Sequence, residues 1–106
     1  MSQHIALAEI LIDLEKELRE LRLWEAESPS AEALASVQPF AVDTLNFSQW
    51  LQFIFIPRLY DLIEARGALP VNCGVAPMAE EYFLPLGLNS ANLINHLRSV
   101  DVLLTR

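Results

Sequence analysis

The chain has 106 residues, an apolar fraction of 53% and a formal charge of −7 at pH 7. Its length favours one core, and we predict a single domain over residues 1–106. The seven basic residues are scattered, which argues against direct binding to nucleic acid or to an anionic membrane, because both need clustered Lys and Arg. The mean hydropathy of +0.29 is high for so small a chain and predicts apolar surface that meets a partner.

The cysteine content and the N-terminal segment predict a cytoplasmic protein. Cys73 is the only cysteine, so no internal disulfide can form and a reducing compartment is favoured. The N-terminus lacks a basic stretch followed by a purely apolar run, which is the pattern of a signal peptide. No apolar run reaches the about 18 residues that a membrane span needs, and the longest one is interrupted by Gln52 and Arg58.

The first predicted element is a helix from Gln3 to Trp24. Its leucines recur at spacings of four and three residues, so they share one face. They are Leu7, Leu11, Leu14, Leu18 and Leu21. Such a stripe is typical of a seam inside a bundle and also of a zipper between chains. The bundle is favoured, because a zipper usually sustains its repeat over about three or four heptads and Glu25 interrupts this one.

The connection from Glu25 to Leu45 is long for a small domain, which is typical of segments that are functional or that are fixed by their own side chains. Ser30 is expected to cap a short helical turn over Ala31 to Ser36. Phe40 and Val42 are the side chains that we expect to anchor the rest of the connection.

A strongly apolar stretch from Asn46 to Gly67 predicts a central helix that the other helices surround. Asn46 and Gln49 form a capping-box pattern at its start. Pro57 lies in the middle, removes one backbone hydrogen bond and predicts a bend. Gly67 is the expected left-handed residue that ends the helix.

Two further helices complete the predicted fold. A short third helix is expected from Pro77 to Leu84, with Pro77 at its first position. The last helix is expected from Ser90 to Thr105, with Asn89 as its cap. Its buried face consists of Leu93, Leu97, Val100 and Leu104. The predicted fold is an all-α, four-helix bundle with a kinked central helix and a short third helix.

No residue pattern predicts catalysis, a metal site or a cofactor. His4, Cys73 and His96 are too widely spaced for a typical zinc site. The sequence places no base beside Cys73, so an inert cysteine is favoured over a nucleophile. Glu80 and Glu81 point in different directions on a helix. Their position near a helix start explains them better than acid–base catalysis does.

The most unusual charged residue is Arg58, which follows Pro57 in the least polar part of the chain. Its guanidinium must be paired or must reach solvent. A structural ion pair with Asp43, Glu80 or Glu81 is favoured, and the alternatives are contact with a partner or an anion and simple solvent exposure. The residues predicted to bind a partner or ligand around Arg58 are Gln38, Asp43, Gln49, Trp50, Gln52, Tyr60 and Glu80.

A series of short motifs runs from Gln38 to Phe83. In order they are Gln38-Pro39-Phe40, Asp43-Thr44, Trp50-Leu51-Gln52, Pro57-Arg58, Leu69-Pro70, and Ala76-Pro77 followed by Glu80. Through them the chain resembles the YqcC-like family of small bacterial proteins, whose fold is a four-helix bundle. The resemblance also implies a link to a tRNA pseudouridine synthase of the TruC type, and hence an accessory role beside such an enzyme.

Two functions follow as hypotheses. The first is a small interaction protein without enzyme activity or cofactor, whose partner is another protein, such as that synthase, or a second copy of the chain. The apolar surplus and the acidic charge motivate it. The second is a helical bundle that binds a small ligand in a pocket between the central helix and the loop from Gln38 to Asp43, beside Arg58.

Overall fold

The computed structural model describes residues 3–70, 74–87 and 89–104, and the regular structure in these ranges is helical. The helices are α1 (Gln3–Glu20), α2 (Ala31–Leu34), α3 (Phe47–Trp50), α4 (Ile56–Ala65), α5 (Val75–Phe83) and α6 (Ala91–Leu103). A π-helical segment, Leu51–Phe55, joins α3 and α4 into one central helix, and 3-10 turns occupy Pro39–Ala41 and Leu84–Leu86. The all-α fold is confirmed, and α2 is the short turn predicted after Ser30, whose hydroxyl accepts a hydrogen bond from the N–H of Ala33.

The leucine stripes of α1 and α6 form the centre of the core. α6 packs against both α1 and α5, and α1 also packs against α4. The fully buried residues of these stripes are Leu7, Leu11, Leu14, Leu18, Leu93, Leu97, Val100 and Leu104. Each such side chain contributes about 1.5–3 kcal/mol through its burial. The prediction that the α1 stripe is an intramolecular seam is therefore confirmed.

α1 ends at Glu20 rather than at the predicted Trp24. Arg22 adopts a left-handed conformation with φ of 61°, and the N–H of Leu23 donates to the carbonyl of Leu18 at 2.9 Å. This is the hydrogen-bond pattern of a Schellman motif. The sequence gives no signal for it, because glycine usually occupies the left-handed position and here an arginine does.

The same motif ends the central helix. Arg66 has φ of 52°, and the N–H of Gly67 donates to the carbonyl of Leu62 at 2.9 Å. The prediction that Gly67 is the left-handed residue is therefore wrong by one position. Gly67 instead lies close to Leu62, where an added Cβ would be 3.3 Å from Leu62 Cδ2, and its carbonyl contacts the ring of His4 at 2.8 Å.

The π-helical segment lies directly before Pro57. The N–H of Ile56 donates to the carbonyl of Leu51, five residues back. We attribute this wide turn to Pro57, whose ring would otherwise press on the carbonyl of Phe53. The bend predicted at Pro57 stays a prediction.

The central helix is enclosed only along its first half. Phe47, Trp50, Leu51 and Phe55 are buried there, whereas α4 buries only Ile56 and Leu59. The expectation that neighbouring helices surround the whole central helix is wrong. Its second half presents one face to the core, because α4 itself carries exposed charged residues at positions 58, 61 and 64.

The start of α5 is capped by a residue from another helix. The carboxylate of Asp101 in α6 accepts hydrogen bonds from the N–H groups of Val75 at 2.8 Å and Ala76 at 2.7 Å. Pro77, the third residue of α5 rather than the predicted first, has no N–H to satisfy. The N–H groups of Val75 and Ala76 are therefore bonded and that of Pro77 is absent, which accounts for three of the four groups that a helix start leaves unpaired.

α6 begins after Ser90 rather than after the predicted cap, Asn89. The carbonyl of Ser90 accepts from the N–H of Ile94 at 2.9 Å, but the Ser90 side chain makes no cap hydrogen bond. The predicted end of this helix at Thr105 lies outside the described residues.

Candidate functional site

Arg58 lies exposed on α4. Among the residues that the structure describes, it makes no ion pair, and two of its three favoured partners are engaged elsewhere. Glu80 pairs with Arg98 of α6, and Asp43 accepts a hydrogen bond from the hydroxyl of Ser36. The predicted structural ion pair of Arg58 with these acids is wrong, because the face of α4 that carries Arg58 turns to solvent.

Three residues form a polar contact that we call the Gln52 clasp: Glu25, Gln49 and Gln52. Gln52 is buried; its side chain donates to the backbone carbonyl of Glu25 at 2.7 Å and accepts from the Glu25 N–H at 2.8 Å. Gln49 donates to the Glu25 carboxylate at 3.3 Å. The clasp holds the chain after α1 against the central helix, so two predicted binding residues have structural partners.

Gln49 also completes the predicted cap of the central helix. The side chain of Asn46 accepts from the Gln49 N–H at 2.9 Å, and the Gln49 side chain accepts from the Asn46 N–H at 3.0 Å. This reciprocal pair is a capping box, and the prediction is confirmed. The cap fixes where the central helix begins, and with it the position of Phe47 and Trp50.

Two shallow depressions lie side by side around Pro57. One, of about 310 Å³, is lined by Leu34, Phe53, Ile54, Pro57, Arg58 and Asp61. The other, of about 470 Å³, is lined by Glu15, Trp24, Gln52, Phe53, Ile56, Pro57, Tyr60 and Asp61. Gln52 and Tyr60 therefore line one depression and Arg58 the other, and Phe53, Pro57 and Asp61 line both. Gln38, Asp43 and Glu80 line neither depression.

Tyr60 is the residue of this region with a shifted pKa. Burial of its ring raises the pKa of the phenol above the ordinary value of 10.0, and the negative charge of Glu15 adds to the effect. Both causes disfavour the phenolate. Tyr60 therefore stays a neutral hydrogen-bonding group at physiological pH.

Trp50 belongs to a cluster of aromatic rings. Its ring lies 4.8 Å from that of Phe40, 5.0 Å from Phe55 and 5.7 Å from Phe47, and only 9% of the residue is exposed. Contacts at these distances stabilise the fold beyond simple burial. Its ring fills the core between the connection and the central helix, and the predicted binding role of Trp50 stays a prediction.

A second apolar surface, which we call the Phe40 groove, lies between the connection, the start of the central helix and α5. Its volume is about 340 Å³. It is lined by Phe40, Val42, Leu45, Asn46, Phe47, Met78, Glu81 and Tyr82. A groove therefore lies beside the Gln38–Asp43 loop, but it faces α5 rather than Arg58, and the ligand pocket predicted beside Arg58 stays a prediction.

The backbone of this groove is strained. Phe40 and Ala41 have φ of 56° and 49°, and successive left-handed residues with side chains are unfavourable by about 1–2 kcal/mol each. Hydrogen bonds of 3.0 Å from Ala41 N–H to the Gln38 carbonyl and of 2.9 Å from Leu45 N–H to the Ala41 carbonyl hold the turn. Neither residue type signals this conformation in the sequence.

The two predicted anchors of the connection differ. Phe40 packs against the core, so its anchoring role is confirmed. Val42 is 67% exposed, so its anchoring role is wrong. The left-handed turn at Phe40 and Ala41 directs the Phe40 ring inward and leaves Val42 at the groove's edge.

Neither a metal cluster nor a membrane span is found in the described part of the chain. Within residues 3–70, 74–87 and 89–104, no three His, Cys, Asp or Glu side chains are grouped to hold a metal ion. No helix in the same ranges has the length and apolar character to cross a bilayer. Cys73, which the sequence favours as inert, lies outside the described residues.

Fold and site together define a small all-α protein with exposed apolar grooves. The chain belongs to the YqcC-like family, and the family model described as tRNA pseudouridine synthase C matches residues 6–103. The predicted resemblance is thereby confirmed.

The relatives include one of nearly equal length with a solved structure. The uncharacterised protein YqcC of Escherichia coli is 33% identical over 103 residues, which is 97% of this chain and 94% of that protein. Its solution NMR structure has a TM-score of 0.87 at 32% identity and covers 99% of this chain and 90% of that one. An uncharacterised Haemophilus influenzae protein is 41% identical over 71 residues, 67% of each chain.

One relative has a much longer chain. A Pectobacterium carotovorum protein named tRNA pseudouridine synthase C is 39% identical over 70 residues, which is 66% of this chain but only 19% of that protein. About four fifths of the longer protein therefore lies outside the match.

Proposed function

We propose that this protein is a non-catalytic docking partner of a tRNA pseudouridine synthase C. The observation that carries the proposal is the Pectobacterium relative, in which a stretch 39% identical to this chain occupies 19% of a protein bearing that enzyme's name. In such a protein, covalent linkage keeps the matched stretch and the rest of the enzyme at a high effective concentration. A separate chain of the same family needs a binding surface to reach the same arrangement.

The use of the polar side chains supports a role without catalysis. Gln52 and Gln49 hold the backbone and side chain of Glu25, and Glu80 pairs with Arg98. Groups engaged in this way stabilise the fold. General acid–base catalysis needs groups within reach of a substrate.

The charge supports a partner that itself binds RNA. The chain carries −7 at pH 7, whereas proteins that bind nucleic acid present clustered Lys and Arg. Opposite charges steer two proteins toward each other and fix their orientation. The acidic protein is thereby suited to a basic enzyme surface beside the RNA site.

The test is a binding titration of the purified chain with the tRNA pseudouridine synthase C encoded in the same genome. We expect a one-to-one complex by light scattering, with a Kd of about 1 μM or tighter. Its affinity should fall between about 50 mM and 300 mM NaCl, because salt screens the charges. An unrelated helical protein of equal charge is the control. Absence of a complex at the highest soluble concentrations overturns the proposal.

A second candidate function is binding of a small anion beside Arg58. The observation that favours it is an exposed guanidinium in a depression of about 310 Å³, although Asp61 lines the same depression. Thermal unfolding with citrate or inorganic phosphate at constant ionic strength tests it. The function is supported if the anion raises the unfolding midpoint of the wild type but not that of Arg58→Gln. It is excluded if the anion shifts the midpoints of both proteins equally or shifts neither.

A further inference from the structure

We propose that the Phe40 groove receives an apolar side chain of the synthase that is flanked by a basic residue. The inference rests on the proposed function, since it names the surface through which docking would occur. Four features of the groove support it: its lining, its backbone, its charge and its exposed rim.

The lining has the composition of an interaction centre. Phe40, Phe47 and Tyr82 supply aromatic faces, and Met78 supplies a flexible thioether. Aromatic residues and Met are enriched at the centres of protein interfaces, and Met adapts its shape to different partner side chains. The groove thus suits a large aliphatic or aromatic side chain.

The backbone that forms the groove is held in an unfavourable conformation. Phe40 and Ala41 are both left-handed, and such strain persists where the surrounding structure enforces it, often at ligand-binding segments. Here it places the Phe40 ring against Trp50 and Phe47 and leaves Val42 67% exposed. The turn therefore builds one wall of the groove and its open edge.

The charge at the groove is acidic. Glu81 lines it, and none of its lining residues is Lys or Arg. The depression between α1 and α6, by contrast, contains Arg98. A carboxylate beside apolar walls favours an apolar side chain with a neighbouring Lys or Arg. An RNA-binding enzyme offers such basic residues on its surface.

The rim extends the apolar surface beyond the groove itself. Val42, which lines the groove, is 67% exposed, and Leu84, three residues after Glu81 in the sequence, is 63% exposed. A standard interface buries about 800 Å² on each partner, which is about one eighth of this protein's 6512 Å² surface. The groove, with Val42 in its wall, is then the centre of the interface.

The experiment compares substitutions in the groove with matched substitutions elsewhere. Val42→Arg and Glu81→Arg alter exposed groove residues, so the fold is retained, which circular dichroism checks. Val102→Arg is the control for the first, because Val102 in α6 is 61% exposed. Glu20→Arg, at the exposed end of α1, is the control for the second, because it changes the net charge equally.

We expect Val42→Arg to weaken binding to the synthase about tenfold or more, since it blocks the apolar centre. Glu81→Arg should weaken it about fivefold and reduce its dependence on salt. Both controls should stay within about twofold of the wild type. This pattern supports the groove as the docking site.

Each other result has a distinct meaning. No complex with the wild type overturns the proposed function and this inference together. A wild-type complex that Val42→Arg and Glu81→Arg leave unchanged overturns only the groove. Self-association of the wild type that Val42→Arg abolishes, without an effect on synthase binding, identifies a second copy as the occupant and also overturns the inference.

Discussion

The Gln52 clasp and the Phe40 groove adjoin the same central helix, but they differ in whether their side chains have partners within the molecule. In the clasp, a buried amide makes two hydrogen bonds to the backbone of Glu25. In the groove, apolar rings stand beside an exposed valine and an unusual backbone turn. The polar groups of the first region are hydrogen-bonded within the molecule, whereas apolar side chains of the second region stay exposed.

This difference changes which residues are functional candidates. Polarity near Arg58 drew attention in the sequence, yet buried polar groups are usually bonded internally. The exposed apolar groove is the surface that a partner can cover. The four predictions below test this division, from the largest expected effect to the smallest.

Trp50→Ala should have the largest effect, because Trp50 is the wall behind the groove. We expect a loss of about 3–5 kcal/mol in the free energy of unfolding, the usual range for a buried aromatic residue. Urea denaturation measures it. Trp24→Ala is the control, since Trp24 is only partly buried and should lose less. A loss below about 1 kcal/mol for Trp50→Ala would contradict the burial.

Gln52→Ala should destabilise the fold by about 2–4 kcal/mol, because it leaves the N–H and C=O of Glu25 without their partner. Synthase binding by the folded variant should be unchanged. Gln38→Ala removes the same type of side chain from an exposed position and should change stability by less than about 0.5 kcal/mol. If Gln52→Ala is as stable as Gln38→Ala, the clasp has no structural role.

Asn46→Ala should cost about 1 kcal/mol, since it removes the side-chain acceptor of the capping box beside the groove. Asn89→Ala is the matched control. Asn89 precedes Ser90, which is the N-cap of α6, so this substitution should be nearly neutral. Equal losses for the two variants, measured by thermal unfolding, would remove the distinction between the two helix starts.

Tyr60→Phe should have the smallest effect, visible only at high pH. The pKa of Tyr60 is raised in the folded protein, so its contribution to stability is complete below the unfolded pKa and is lost as pH rises through the folded one. Wild-type stability should therefore fall more steeply than that of Tyr60→Phe between about pH 9 and pH 11. Parallel curves would show that burial of the phenol has no energetic effect.

Local signals made the core and two helix caps, Ser30 and Asn46, predictable. The spacing of Leu7, Leu11, Leu14 and Leu18 sets one face of a helix regardless of the rest of the chain. Asn46 and Gln49 lie three residues apart, so their reciprocal hydrogen bonds follow from the sequence alone.

Features that depend on distant residues or on unusual backbone angles were not predictable. The partner of Gln52 is the backbone of Glu25, 27 residues away, and no side-chain type marks it. Arg22, Arg66, Phe40 and Ala41 adopt left-handed conformations in which glycine is usual. In the described residues Arg58 makes no ion pair with Asp43 or Glu80, and the groove beside the Gln38–Asp43 loop opens toward α5.

The hydrogen bonds that the first amides of α5 donate to Asp101 make the hydrogen exchange of these amides sensitive to the state of α6. Val75 and Ala76 are bonded to a side chain more than 20 positions later in the chain, so their hydrogen exchange with solvent depends on whether the last turns of α6 are docked. Fraying of α6 would therefore release deuterium-exchangeable protons at the beginning of α5 as well as locally. We therefore expect the start of α5 and the end of α6, which are distant in sequence, to open together as one cooperative unit.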